Sequence, residues 1–119
     1  MEASIDLAKL SFSKNKYQET IDTCKKIISI DSNSLEALKL LAKSYLAVMN
    51  VLDSRLYLNK IITLNPSDYE AIKDLGNSYQ AEGNIDSAKK YYKTAIAINP
   101  NYAPALTNLG SLELNTGND

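Results

Sequence analysis

Leucines return at one fixed interval along this chain. Leu7, Leu41, Leu75 and Leu109 are each separated by 34 residues. The residue after each is small: Ala8, Ala42, Gly76 and Gly110. Three places earlier stand Leu38, Ile72 and Leu106, with Ser4 in the first frame. Four places later stand Tyr45 and Tyr79, whereas Ser11 and Glu113 break that agreement. Asn65-Pro66 and Asn99-Pro100 close two successive units at the same interval. A period of this size marks a repeat architecture, in which no unit buries its own apolar stripe and stability comes from stacking on neighbours.

The spacing within a unit gives its local structure. Ile72, Leu75, Gly76 and Tyr79 follow at offsets of three, four and seven, which is one stripe of an α-helix. Gly83-Asn84 then breaks the chain, as Met49-Asn50 and Asn15-Lys16 do in the earlier frames. Asp86, Ala88, Tyr91, Tyr92, Ala95 and Ile96 resume helical spacing until Asn99-Pro100, where proline cannot continue the helix. Ser34 and Ser67-Asp68 are suited to cap the following helices. The pattern predicts seven helices near 2–14, 17–30, 35–48, 51–64, 68–81, 85–98 and 102–115, and no strands. Small residues such as Ala42, Gly76, Ser54 and Ala88 are expected to let paired helices approach closely, with Tyr45, Leu58, Tyr79 and Tyr92 filling the space between pairs.

Composition removes most chemistry. The 119 residues suit a domain of ordinary size. With 13 basic and 14 acidic residues the net charge is -1, without the basic excess of a nucleic-acid binder. There is no histidine, which removes the Ser/His and Cys/His catalytic pairs and the commonest metal ligand. Cys24 is the single cysteine, so no internal disulfide forms, and it is expected to be a buried, inert thiol. Gly83-Asn84 and Gly117-Asn118 are turn glycines and not a phosphate loop, because no Lys-Ser/Thr follows a GxxxxG. No stretch approaches the roughly 20 apolar residues that cross a bilayer, and the amino terminus lacks the basic start and apolar run of a signal peptide. The expectation is a cytoplasmic protein without catalysis, metal, cofactor, nucleic acid or membrane attachment.

These residues resemble a known family. Ile72-x-x-Leu75-Gly76-x-x-Tyr79, then Gly83-Asn84-Ile85-x-x-Ala88-x-x-x-Tyr92-x-x-Ala95 and Pro100, is similar to a near-complete tetratricopeptide repeat. Leu38, Leu41, Ala42, Tyr45, Ser54, Leu58, Ile61 and Pro66 match in the unit before. The first unit keeps Leu7, Ala8, Tyr17 and Ile27 but has Thr20, Cys24 and Ser32 where Ala, an aromatic and Pro are usual. The fourth reaches only Gly117-Asn118-Asp119, the start of the turn after its first helix. The resemblance implies an all-α fold: a right-handed α-solenoid of antiparallel helix pairs forming one array over 1–119, with repeats near 1–34, 35–68, 69–102 and a partial repeat at 103–119. It further implies a scaffold or adaptor that holds a peptide or partner segment in a concave groove lined by the first helix of each pair.

Residues of the first helices outside the packing stripe are the candidates for that groove: Lys9, Lys39, Lys43, Lys73, Asp74, Asn77 and Asn108. Lys39 and Lys43 are four apart, as are Lys73 and Asn77, so each pair shares a helix face. Lysine attracts carboxylates, and asparagine meets both the N–H and the C=O of an extended peptide. The competing reading is a set of ordinary solvated side chains. Some family members grip a chaperone's terminal carboxylates with a clamp of Lys and Asn, then Asn, then Lys and Arg on three first helices. Lys73, Asn77 and Asn108 fit its first three places, but no later helix supplies the rest. One frame earlier Asp74 and Pro104 interrupt the set, and in the first frame Glu70 and Asp74 oppose it. A complete clamp is absent.

The last helix carries Leu106, Leu109, Gly110, Leu112 and Leu114, apolar on more than one side, and no second helix follows to cover Gly110. Repeat arrays normally end in a polar-backed cap. Three functions follow: a peptide-binding scaffold, a substrate-presenting or regulatory arm of a larger enzyme such as a transferase, and an oligomerisation module acting through the last helix. The truncated repeat favours a fragment of a longer protein.

Overall fold

A computed structural model describes the backbone of residues 2–115 and the side chains of residues 4–114. Seven helices account for it: α1 (Glu2–Ser13), α2 (Tyr17–Ile30), α3 (Leu35–Ala47), α4 (Val51–Leu64), α5 (Tyr69–Ala81), α6 (Ile85–Ile98) and α7 (Ala103–Asn115). No strand occurs among the described residues. The turn expected at Gly117-Asn118-Asp119 lies outside them.

The turns repeat at the period of the leucines. Asn15, Met49 and Gly83, spaced 34 apart, all adopt positive φ (61°, 63° and 80°). After each, the next N–H reaches back over one helical turn: Lys16 to the Ser11 carbonyl at 2.9 Å, Asn50 to Tyr45 at 2.8 Å and Asn84 to Tyr79 at 2.9 Å. This left-handed ending satisfies carbonyls that a helix terminus otherwise leaves bare. It explains why one sequence position accepts Asn, Met or Gly, with Gly alone free of steric cost.

The helix starts are capped as expected at Ser34, whose Oγ accepts from the Ala37 N–H, and at Asp68, whose Oδ1 accepts from the Ala71 N–H at 3.1 Å. Asn50 and Asn84 prove to be caps as well as breaks. Asn84 Oδ1 accepts from the Ser87 N–H, and Asn50 exchanges bonds with Asp53 in a reciprocal capping arrangement.

The helices gather into two compact units, Met1–Leu64 and Asn65–Asp119. In the first, Ile5, Ala8, Ile21, Cys24, Ile27, Ala37, Leu41 and Tyr45 form one apolar cluster drawn from α1, α2 and α3. Ala42 stands on α3, and the Ser54 hydroxyl of α4 donates to the Ala42 carbonyl at 2.8 Å, so the small pair brings the two backbones together. In the second unit, Ala88 and Tyr92 of α6 pack with Leu112 of α7, flanked by Tyr79, Ile85 and Leu109. Stacked rings brace both helix pairs: Tyr45 on Tyr57 (centroids 5.8 Å apart) and Tyr79 on Tyr91 (5.5 Å). The second ring of each stack also lies 34 residues from its counterpart.

Burial corrects one expectation. Leu7 belongs to the repeated stripe, yet it is 50% exposed while Leu41 is fully buried. Each first helix has two apolar edges, not one. Ala37, Leu41 and Ser44 form an edge buried in α3, and Leu41 meets residues of α2. On α1 that same edge, Leu7 and Leu10, has no earlier helix across from it among the described residues. Ala8 and Ser11, on the edge toward α2, are buried. The last helix is the reverse case: Ala105 and Leu112 are buried, whereas Leu106 is 45% exposed and a Cβ at Gly110 would meet nothing. The series Ala37, Ala71, Ala105 and the series Ser44, Ser78, Leu112 are thus further 34-residue repeats that hydrophobic patterning passes over, because alanine and serine carry little apolar signal.

Candidate functional site

The second unit brings four of the singled-out residues into one polar cluster. Lys73, Asp74 and Asn77 stand on consecutive positions of the same α5 face, and Asn108 reaches them from α7. Lys73 Nζ lies 2.8 Å from Asp74 Oδ1, with both side chains largely withdrawn from water. Asn77 donates through Nδ2 to Asp74 Oδ1 at 3.3 Å, and its Oδ1 accepts from Asn108 Nδ2 at 3.0 Å. The Tyr92 hydroxyl of α6 completes the cluster, 2.7 Å from both Asn77 Oδ1 and Gln80 Oε1. A phenol has one proton, so it donates to one of the two at a time. Turning the Gln80 amide lets its nitrogen donate to the hydroxyl oxygen instead.

Asn77 is therefore a junction of three helices. Both lone pairs of its oxygen are used and one N–H is engaged, which leaves one N–H for a further acceptor. Asp74 is 6% exposed and balances Lys73, so it acts within the cluster and not as a free surface charge. The sequence reading found Lys73, Asp74, Asn77 and Asn108 but not the contributions of Tyr92 and Gln80. Tyr92 reads as a packing residue, and its ring is one, while its hydroxyl end is polar and bonded.

Charge on the cluster depends little on pH below the alkaline range. Burial pushes the Tyr92 phenol up from its ordinary 10.0 to about 12, opposed in part by a hydrogen bond from Asn108 and reinforced by the Asp74 carboxylate. Tyr102, edge-on to Tyr69 at 4.7 Å between centroids, is also pushed up to about 12 by burial and by Glu70 and Asp74. Both folded values lie above the unfolded value. Their contribution to stability is therefore complete below pH 10 and lost as pH rises through about 12. An alkaline titration followed by tyrosinate absorbance and circular dichroism is expected to show late-titrating phenols coupled to loss of helix. All 8 tyrosines ionising together near their ordinary value would contradict this.

In the first unit the three lysines are dispersed. Lys9 of α1 pairs with Glu36 of α3 at 3.4 Å, an exposed contact worth little. Lys39 and Lys43 lie half-buried on one face of α3, and each has an interaction partner. A shallow recess lined by Leu7, Leu10, Ser11, Lys14, Lys16 and Glu19 lies at the outer side of this unit. Cys24 is fully buried, and burial pushes its thiol up to about 11, away from reactivity. Among the described residues no group of acidic, cysteine or histidine side chains is arranged to hold a metal ion. None of the described helices is long and apolar enough to cross a membrane.

Helix pairs, left-handed turns and stripes recurring every 34 residues define an all-α helical repeat protein. Two tetratricopeptide repeat models match, one over residues 69–102 and the other over 91–119. The chain is a tetratricopeptide repeat protein. No curated protein matches it. Its fold is similar to the crystal structure of MamA, at 25% identity and a TM-score of 0.88, covering 98% of this chain and 68% of that one. It is also similar to the first repeat domain of Spaghetti (RPAP3) bound to the HSP90 peptide SRMEEVD, at 22% identity and a TM-score of 0.87, covering 96% and 90%. A third likeness is to a Thermobaculum terrenum O-GlcNAc transferase mutant, at 20% identity and a TM-score of 0.87, covering 94% of this chain but 22% of the transferase. Repeats of this family serve as protein-interaction modules, and that general role holds for this chain.

Proposed function

We propose that the chain is a non-catalytic scaffold that holds an extended, acidic partner segment against the polar faces of its first helices. The observation that carries this reading is the Asn77–Asn108 pair, two amides on successive first helices held at 3.0 Å by Tyr92 and Asp74 behind them. Amides fixed in this way meet a peptide backbone without first losing rotamer freedom, which is the largest avoidable cost of binding. Lys39 and Lys43 of α3, one turn apart, supply the preference for carboxylates. The acidic peptide on the similar Spaghetti (RPAP3) domain supports this charge preference. The incomplete clamp argues for a different acidic sequence. A cytoplasmic setting belongs to the same proposal, on the strength of one buried thiol and no disulfide.

An array of acidic peptides with basic counterparts tests the proposal. Acidic members are expected to bind at least about tenfold more tightly, a difference of about 1.4 kcal/mol. Lys39→Glu with Lys43→Glu is expected to remove that preference while leaving helicity intact. Equal binding of both peptide classes, or unchanged affinity in the double variant, would exclude these lysines. Lys73→Glu is unsuited to the purpose, because it would set a second carboxylate against buried Asp74. The likeness to part of the transferase favours a second reading, the non-catalytic arm of a larger enzyme. The full reading frame of the gene decides it: a catalytic domain supports this reading, and repeats alone remove it.

A further inference from the structure

We propose that the exposed ridge of α7 pairs with the same ridge of a second copy of this chain, antiparallel, about a twofold axis through Gly110. The ridge consists of Leu106, Gly110 and Leu114, spaced by four residues along one line of the helix. Leu106 is 45% exposed and Leu114 83%, and a Cβ placed on Gly110 would meet no atom within 4 Å. Thr107 and Ser111 flank the line and are also exposed. Glu113 is the one charged residue of α7, whereas α6 presents Asp86, Lys89, Lys90 and Lys93. A solvent face of this chain is ordinarily charged, and this one is not.

The occupant follows from the symmetry of the ridge. An isologous contact requires a surface complementary to itself. Leu–x–x–x–Gly–x–x–x–Leu reads the same in both directions, so a twofold axis at Gly110 sets Leu106 against Leu114 of the second copy and Gly110 against Gly110. Ridges of four-residue spacing interdigitate in the commonest class of helix packing, and glycine at the crossing lets the axes come close. The equivalent position one repeat earlier shows how tightly a helix fits there: the Tyr92 ring of α6 lies 2.6 Å from where a Gly76 Cβ would stand. Antiparallel pairing also separates the two Glu113 residues by about 9 Å along the axis, six residues at the helical rise. Parallel pairing would bring them face to face. One helix per copy forms a small contact, so the association is expected to be weak and reversible.

Sedimentation of the 119-residue chain from micromolar to millimolar concentration is expected to show a monomer–dimer equilibrium that stops at two. Gly110→Arg or Leu114→Lys should shift the midpoint at least about tenfold toward monomer, with the circular dichroism unchanged. Gly110→Cys is expected to form a disulfide-linked dimer under mild oxidation much faster than Lys93→Cys on the exposed side of α6. Buried Cys24 is the internal background control. A chain that stays monomeric throughout would overturn the proposal. So would assemblies that grow past the dimer, a dimer indifferent to charge at 110 and 114, or equal crosslinking at positions 110 and 93. A chain monomeric alone that captures an unrelated protein through this ridge would overturn it too.

Discussion

Tyr92→Ala is expected to destabilise the second unit by about 3–5 kcal/mol, measured by chemical denaturation. Tyr92 is the largest side chain that the fold buries completely. Its ring lies over Gly76, with Cε1 2.6 Å and Cδ1 2.7 Å from the position of an added Cβ, and its hydroxyl reaches Asn77 and Gln80 at 2.7 Å. Truncation opens a cavity and leaves two amides short of a partner. Tyr92→Phe keeps the ring and loses the hydroxyl, so it is expected to cost only about 0.5–1.5 kcal/mol. Equal losses for Phe and Ala would show that the ring does not pack as described. Gly76→Val probes the same contact from the other side. It should cost about 1–3 kcal/mol by overpacking against a ring that is held at both ends. In the Tyr92→Ala background most of that cost should vanish, since the two residues touch and their effects are not additive. Undiminished cost in the double variant would place the strain elsewhere.

Two leucines at equivalent places in the period should respond very differently. Leu41→Ala is expected to cost about 2–5 kcal/mol, because Leu41 is fully buried in the cluster of α1, α2 and α3. Leu7→Ala is expected to cost less than about 1 kcal/mol, because Leu7 already keeps half its surface in water. Thermal or denaturant unfolding of the two variants side by side measures the difference. Comparable losses would mean that the outer face of α1 is covered in solution.

The candidate site divides along the same line. Lys73, Asp74, Asn77 and Asn108 were legible because they fall outside the apolar stripe on first helices. Gln80 and the Tyr92 hydroxyl were not, because their role depends on three helices meeting at Asn77. The unsuitability of Lys73 for charge reversal was equally hidden. Its partner Asp74 is the next residue, but only burial makes that neighbour consequential.

What this sequence determined by itself was everything of local origin. Helix boundaries, left-handed turns at Asn15, Met49 and Gly83, and caps at Ser34 and Asp68 follow from backbone preferences within a few residues. Those preferences recur with the 34-residue period, so the repeat is readable without a fold. Tertiary structure alone decided which edge of each helix is covered. Leu7 and Leu41 share a place in the period, and so do Gly76 and Gly110. Burial, however, is a property of the helix that lies opposite, and only Leu41 and Gly76 have one among the described residues.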